Sequence, residues 1–224
     1  MNWQAIALTF KLACCVSGIL VLIGLPIAYW VTYSRWRWKF AVEAVVALPI
    51  VLPPTVLGFY VLLAIGPSGW IGKLWQGWFD RTLPFTFQGL VLASVLYSLP
   101  FAVQPFAAAF AGVDRKLIEA SWTLGASKLR TFLRVILPLS VTGIVTGIVL
   151  SFAHTLGEFG VVLMVGGNIE GVTRTVSIDI YDDVQAFNYA AAGHTALLLL
   201  VFSFAVLSIV YALNRRIWGA WPSK

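Results

Sequence analysis

His154 and Glu158 are the ionisable side chains in the most unusual sequence setting of this chain. They lie four residues apart, which places both on one face of a helix, and no Asp, Glu, Lys or Arg precedes Glu158 back to residue 135. Ionisable groups inside a membrane-spanning helix are costly and often functional, so a proton relay or a gate is one interpretation. The other is a mutually satisfied pair near the end of the helix, and the sequence favours this second interpretation.

Other patterns that could support chemistry are weak. The nucleotide-binding pattern G-x4-GK[ST] is absent, because the Gly72–Lys73 pair is followed by leucine and lacks the earlier glycine. Three aspartates in a later connection have no His or Cys beside them, which favours a solvated surface over a metal site. These are Asp179, Asp182 and Asp183. We therefore predict no catalytic residue, no metal site and no ATP hydrolysis by the chain itself.

The elements that carry these residues are apolar helices. Hydrophobic residues make up 60% of the 224 residues and charged residues only 11%. Five stretches of at least 23 residues contain no charged residue, whereas a helix needs about 20 apolar residues to cross a bilayer. We predict an all-α polytopic membrane protein with one transmembrane domain over residues 1–224. The five expected spans are residues 10–32, 43–65, 88–111, 140–165 and 191–213.

Basic residues are concentrated in alternate connections. Eleven Lys and Arg residues lie in segments 33–42, 112–139 and 214–224, against three or four in the opposite connections. Because Lys and Arg accumulate on the cytoplasmic side, the N-terminus is predicted outside and the C-terminus inside. The net charge of +6 therefore reflects contact with the lipid bilayer and does not indicate nucleic-acid binding.

Proline and glycine mark the second and fourth spans. Pro49, Pro53 and Pro54 fall in the middle of the second span, which is expected to kink or break there. A broken helix can line a cavity, whereas a kinked one can serve packing alone, and both interpretations stay open. In the fourth span, Gly143 and Gly147 have the spacing that lets two helices pack closely. The candidates for a translocation path or gate are Pro53, Pro54, Thr55, His154 and Glu158, with Tyr60, Ser94, Ser98, Gln104, Ser151 and Thr155 as further lining candidates.

Segment 112–139 is too polar to span the membrane, and its apolar residues are too regularly spaced for an irregular loop. Asp114 is expected to cap a short helix that ends at Gly125, and a second amphipathic helix runs on to Pro138. The apolar stripes are Leu117, Ala120, Ser121 and Leu124, followed by Leu129, Phe132, Leu133 and Ile136. Small residues in the first stripe would let a partner surface approach closely. From periodicity alone, a connector resting on lipid headgroups is favoured.

The same segment resembles the signature of ABC importer permeases, EAA-x3-G-x9-I-x-LP. Two positions depart from it, with serine for the second alanine and valine for the isoleucine. The matching residues are Glu119, Ala120, Ser121, Gly125, Val135, Leu137 and Pro138. The resemblance implies a type I importer permease fold, whose coupling helix docks on a separate ABC ATPase subunit, present in two copies. That subunit would bind ATP and Mg, so this chain would hold no cofactor.

Two longer stretches resemble the oxyanion branch of these permeases. Residues 48–66, LPIVLPPTVLGFYVLLAIG, resemble molybdate permeases, and residues 156–182 resemble molybdate, tungstate and sulfate permeases. The resemblance implies a homodimer in the bacterial inner membrane that receives its anion from a periplasmic binding protein. Molybdate is the expected substrate, with sulfate, thiosulfate or tungstate as alternatives. An ion-coupled secondary transporter and a passive channel are alternatives that the sequence does not favour.

Overall fold

In the computed structural model, which describes residues 2–219 and side-chain surroundings for residues 2–212, the chain is helical and has no strand within those residues. Lys224 lies outside the described residues, as do the side chains of Arg215 and Arg216, which contributed to the predicted orientation. The helices are α1 (Trp3–Tyr33), α2 (Lys39–Val51), α3 (Pro54–Ile65), α4 (Trp70–Phe79), α5 (Phe87–Ala111), α6 (Arg115–Thr123), α7 (Lys128–Thr131), α8 (Leu137–Leu139), α9 (Val141–Leu156), α10 (Gly160–Gly166), α11 (Val176–Gln185) and α12 (Tyr189–Gly219). A π-helix, Phe132–Ile136, joins α7 to α8.

Within the described residues, three helices are long and apolar enough to cross a membrane, and they are α1, α5 and α12. Two bent pairs raise the count to five if each pair is one span. The first pair is α2 with α3, bent by 116°, and the second joins residues 128–139 to α9 at 74°. The all-α architecture is as predicted, but the second span is two helices rather than one. Its break lies at Leu52 and Pro53, as the prolines indicated.

The ends of several predicted elements differ from the structure. The first helix begins at Trp3 rather than near residue 10, because the Asn2 side chain caps it by accepting from the Ala5 backbone N–H at 3.1 Å. The fourth span was predicted to continue to residue 165, but α9 ends at Leu156 and α10 starts only at Gly160. The connections 66–87 and 166–190, predicted as outer loops, contain α4 and α11.

The core is formed by α1, α5 and α9. Phe106 and Phe110 of α5 are fully buried and pack with Leu12, Val16 and Leu20 of α1. The two glycines of α9 lie directly against α5, as their spacing predicted. A Cβ atom at Gly143 would come within 2.4 Å of the Ala109 Cβ.

Gly147 offers a direct test of this close packing. A Cβ atom there would lie 2.6 Å from Phe106 Cε1 and 2.9 Å from the Ala102 carbonyl oxygen, which is backbone and cannot rotate away. We expect Gly147→Ala to destabilise the chain by about 1–3 kcal/mol through overpacking, measured by thermal unfolding in detergent. Gly18→Ala is the matched control, since its Cβ meets nothing within 4 Å, and should be neutral or stabilising. Equal effects of the two substitutions would contradict this packing.

A second, smaller core joins α3 to α10. Leu57, Val61 and Ile65 of α3 are buried with Val161 and Val165 of α10. The two helices approach closely because glycine faces its neighbour at two levels. A Cβ at Gly58 would lie 2.8 Å from Met164 Cβ, and one at Gly160 would lie 2.9 Å from Pro54 Cβ. The helix that follows the break at Leu52 and Pro53 therefore packs on α10, the helix that follows the interruption after α9.

Candidate functional site

A buried polar cluster lies where α9 ends, and Glu158 is its centre. This residue is only 3% exposed. Its Oε2 accepts a hydrogen bond from Ser94 at 2.5 Å and its Oε1 accepts one from Ser98 at 2.6 Å. Both serines are fully buried on α5. The two hydroxyl donors satisfy the carboxyl oxygens of Glu158 without water. These hydrogen bonds also attach the loop after α9 to α5.

His154 completes the cluster one turn earlier on α9. Its Nδ1 atom lies 2.9 Å from Ser98 Oγ and 3.5 Å from Glu158 Oε1. The hydrogen bond between Ser98 Oγ and His154 Nδ1 joins α9 to α5 a second time. The ring stacks on Phe101 at 3.9 Å between centroids and packs against Tyr97 at 4.8 Å. His154 is therefore fixed on two sides by α5.

The sequence predicted the His154 and Glu158 pairing but not their serine partners. Ser94 and Ser98 were proposed only as path-lining side chains, with Ser151, Thr155, Tyr60 and Gln104. Thr155 joins the cluster, with its hydroxyl 2.9 Å from that of Ser98. Ser151 lies one turn away and donates to the Ile148 carbonyl, whereas Tyr60 and Gln104 are exposed elsewhere. The missed signal is the spacing on α5, where Ser94, Tyr97, Ser98 and Phe101 share one helical face.

The start of α3 and the start of α10 meet beside this cluster. Pro53, Pro54 and Thr55 are exposed at the start of α3. Pro54 contacts Gly160, which is only two residues from Glu158. The candidate residues from the second and fourth spans are thus brought to one place, although the hydrogen bonds of the cluster include none of Pro53, Pro54 and Thr55. The polar cluster and the starts of α3 and α10 form the candidate gate region.

The segment around α6 and α7 is the second candidate site. Asp114 caps α6 by accepting from the Lys116 N–H at 2.9 Å. Gly125 ends it with φ +79°, a left-handed conformation that glycine adopts without strain. The Ser121 and Thr131 hydroxyls, 2.9 Å apart, then tie α6 to α7. The two-helix prediction for this segment therefore agrees with the structure.

The apolar stripe predicted for α6 is its exposed face. Leu124 is 88% exposed and Leu117 is 49% exposed, whereas Ile118 is buried against the bundle. Glu119 and Ala120 are exposed as well. The reason is that this nine-residue helix reaches the core through Ile118. Its small and apolar residues therefore face outward, where a partner could contact them.

The end of the segment returns the chain into the bundle. Val135 and Leu137 are partly buried, and Pro138 is exposed. Pro138 has no N–H to donate to the carbonyl four residues earlier, and the turn before it widens into the π-helix. Ser140 is buried at the bend and donates to the Ala109 carbonyl of α5 at 3.3 Å. A displacement of α6 would therefore reach α9 through a hydrogen-bonded and packed corner.

A bundle of apolar helices with two sharply bent helix pairs, and an exposed helix pair between α5 and α9, is the architecture expected of a membrane transport permease. Residues 21–219 match the family described as binding-protein-dependent transport system inner membrane component. The molybdenum transport system permease protein ModB of Azotobacter vinelandii is 52% identical over 94% of this chain and 93% of that protein. ModB of Escherichia coli K12 is 37% identical, over 93% and 91% respectively.

The fold has a close match among solved structures. An inward-facing MetNI methionine ABC transporter aligns with a TM-score of 0.75 and 16% identity, over 97% of this chain and 96% of that one, which shows the fold alone. The chain belongs to the family of binding-protein-dependent transport system inner membrane components. The predicted ABC importer permease fold is thereby confirmed, and the chain is a multi-pass inner-membrane protein rather than a catalytic subunit.

Proposed function

We propose that the chain is the transmembrane permease subunit of an ATP-driven importer of molybdate. The observation that supports this substrate is the similarity, along nearly the whole chain, to two molybdenum transport permeases. A dianion in transit must be held weakly, since tight binding would make its release slow. The described spans offer hydroxyl and backbone groups to the anion rather than paired cations. Such groups would bind the anion weakly and so let it pass.

We further propose that the chain works as a homodimer with two ATPase subunits and a periplasmic molybdate-binding protein. The ATPase subunits would bind ATP and Mg, and this chain would hold no cofactor. The N-terminus would be periplasmic and the C-terminus cytoplasmic, in accord with the excess of basic residues in alternate connections. The long helix α12, with Leu200 and Phe204 exposed, offers apolar surface for lipid or for the second copy.

The exposed face of α6 is the proposed docking surface for the ATPase. Glu119, Ala120 and Ser121 would meet a groove of the ATPase. Gly125 would allow close approach, because a Cβ atom added there would meet nothing within 4 Å. Val135, Leu137 and Pro138 would set the angle at which the chain re-enters the bundle. Closure of the ATPase dimer would then move α6, and the corner at Ser140 would pass the motion to α9.

The gate would lie at the other end of α9. Glu158 and His154 fasten that end to α5, and Pro54 packs on Gly160 just beyond it. Movement of α9 would therefore shift the starts of α3 and α10 together. In this arrangement His154 and Glu158 position the gate, while Pro53, Pro54 and Thr55 form the edge of the path.

Substrate choice can be tested by competition. Cells that lack their own molybdate uptake would express the chain with its ATPase and binding protein and be given radiolabelled molybdate. We expect excess unlabelled molybdate to abolish accumulation of the label and excess sulfate to leave most of it. Tungstate, which has nearly the size and charge of molybdate, should compete. Sulfate competing as well as molybdate would contradict the proposed substrate.

A further inference from the structure

A cavity of about 390 Å³ lies between the end of α1 and the α6–α7 pair. This volume is within the range of about 300–1,000 Å³ that is usual for small-molecule sites. Three basic side chains line it, namely Arg35, Arg115 and Lys128, together with one acidic side chain, Glu119. Three cations and one carboxylate give the lining a formal charge of +2. The cavity is therefore electrostatically suited to an anion.

The three cations have no carboxylate partner within the part of the chain that the structure describes. The ion pairs found there involve other basic residues, namely Lys39, His154 and Arg174. Ser34 also lines the cavity, and its hydroxyl, which accepts from the Trp36 N–H, can donate its own proton to an oxyanion. Arginine in particular matches the geometry of phosphate oxygens through its planar set of donors. Phosphate-type chemistry is the one that this lining fits best.

The apolar part of the lining favours a lipid as the source of that phosphate. Tyr29, Ile118 and Ile136 also line it, so the cavity combines cationic with apolar side chains. It lies at the end of α1, a helix that is long and apolar enough to cross a membrane. Trp30 and Trp36 are exposed there with ring centroids 5.8 Å apart, as is usual for aromatic side chains at headgroup level.

We propose that this cavity binds the phosphate of an anionic phospholipid headgroup through Arg35, Arg115 and Lys128. Basic pockets between membrane helices are established sites for such headgroups. The bound lipid would join the end of α1 to α6 and α7, and so hold the proposed docking segment in a fixed position on the membrane. Lipid binding itself requires neither the ATPase nor the substrate, so it can fail while the proposed transport function holds.

The test uses the full-length chain in a neutral detergent and native mass spectrometry with phosphatidylglycerol or phosphatidylcholine of matched acyl chains. We expect the native chain to retain phosphatidylglycerol preferentially. Substituting Arg35→Gln, Arg115→Gln and Lys128→Gln together should weaken that retention on the order of a hundredfold, since each basic residue contributes about fivefold. The matched control is Lys116→Gln, Arg130→Gln and Arg134→Gln, which removes the same charge from exposed positions outside the cavity and should have little effect.

Three results would overturn the proposal. The first is equal binding of the two lipids by the native chain, and the second is equal loss in the two triple variants, which would indicate general surface attraction. The third is displacement of the lipid by excess inorganic phosphate, which would assign the cavity to a soluble oxyanion. If the cavity triple variant does not elute as a folded species, Arg115→Gln alone should still give a loss of roughly fivefold, and no loss would refute the site.

Discussion

Glu158→Ala is expected to lose most molybdate uptake and a large part of its stability. The substitution leaves the buried Ser94 and Ser98 hydroxyls without the carboxyl oxygens to which they donate, and it removes the oxygen that lies 3.5 Å from His154 Nδ1. Each buried donor left without a partner typically costs about 1–3 kcal/mol. The end of α9 would also lose its attachment to α5, so the proposed gate would no longer follow α9. Thermal unfolding in detergent and uptake per amount of folded chain measure the two effects.

Two further variants separate the role of Glu158 in the gate from a general loss of fold. Glu158→Gln keeps the shape and one acceptor oxygen, so it should unfold closer to the native chain than Glu158→Ala does, while transport stays reduced. Glu170→Ala, in an exposed loop, should behave as the native chain in both assays. The cluster would have no positioning role if Glu158→Ala matched Glu170→Ala in stability and uptake.

Gly125→Val is expected to uncouple transport while the chain still inserts in the membrane. The residue has φ +79°, which a β-branched side chain adopts only with strain of about 1–2 kcal/mol. The added side chain would also project into open space on the proposed docking face. We expect ATPase subunits to co-purify poorly with this variant and molybdate uptake to fall by at least about tenfold, which corresponds to 1.4 kcal/mol of coupling.

Gly125→Asn distinguishes strain from obstruction. Asparagine tolerates the left-handed conformation, so this variant should keep the turn between α6 and α7 but still place a side chain on the docking face. Poor co-purification in both variants would indicate that the partner needs a bare backbone here. Loss in Gly125→Val alone would assign the effect to the turn. Native levels of co-purified ATPase and uptake in both would refute the docking role of this position.

Local signals in the sequence predicted the parts of the structure that local chemistry determines. Asp114 and Gly125 marked the ends of α6 because a cap and a left-handed residue act on their own helix. Pro53 and Pro54 marked the first break for the same reason. Gly143 and Gly147 indicated a close helix contact, although the sequence did not specify α5 as the partner.

The features that the sequence did not reveal depend on distant residues. The end of α9 at Leu156 has no proline to signal it, and Glu158 there is hydrogen-bonded to Ser94 and Ser98, about 60 residues away in sequence. Periodicity cannot show such a pairing, because it concerns two helices and not one. Burial of Ile118 was likewise not predicted, since it depends on how the segment packs on the bundle.

The most direct measurement of the central proposal is molybdate accumulation in proteoliposomes that contain this chain, its ATPase and its binding protein. We predict accumulation only when all three proteins are present and ATP is available to the ATPase. Omission of the ATPase, or its replacement by a form that cannot hydrolyse ATP, should reduce accumulation to background. Accumulation by the chain without any ATPase would contradict the account.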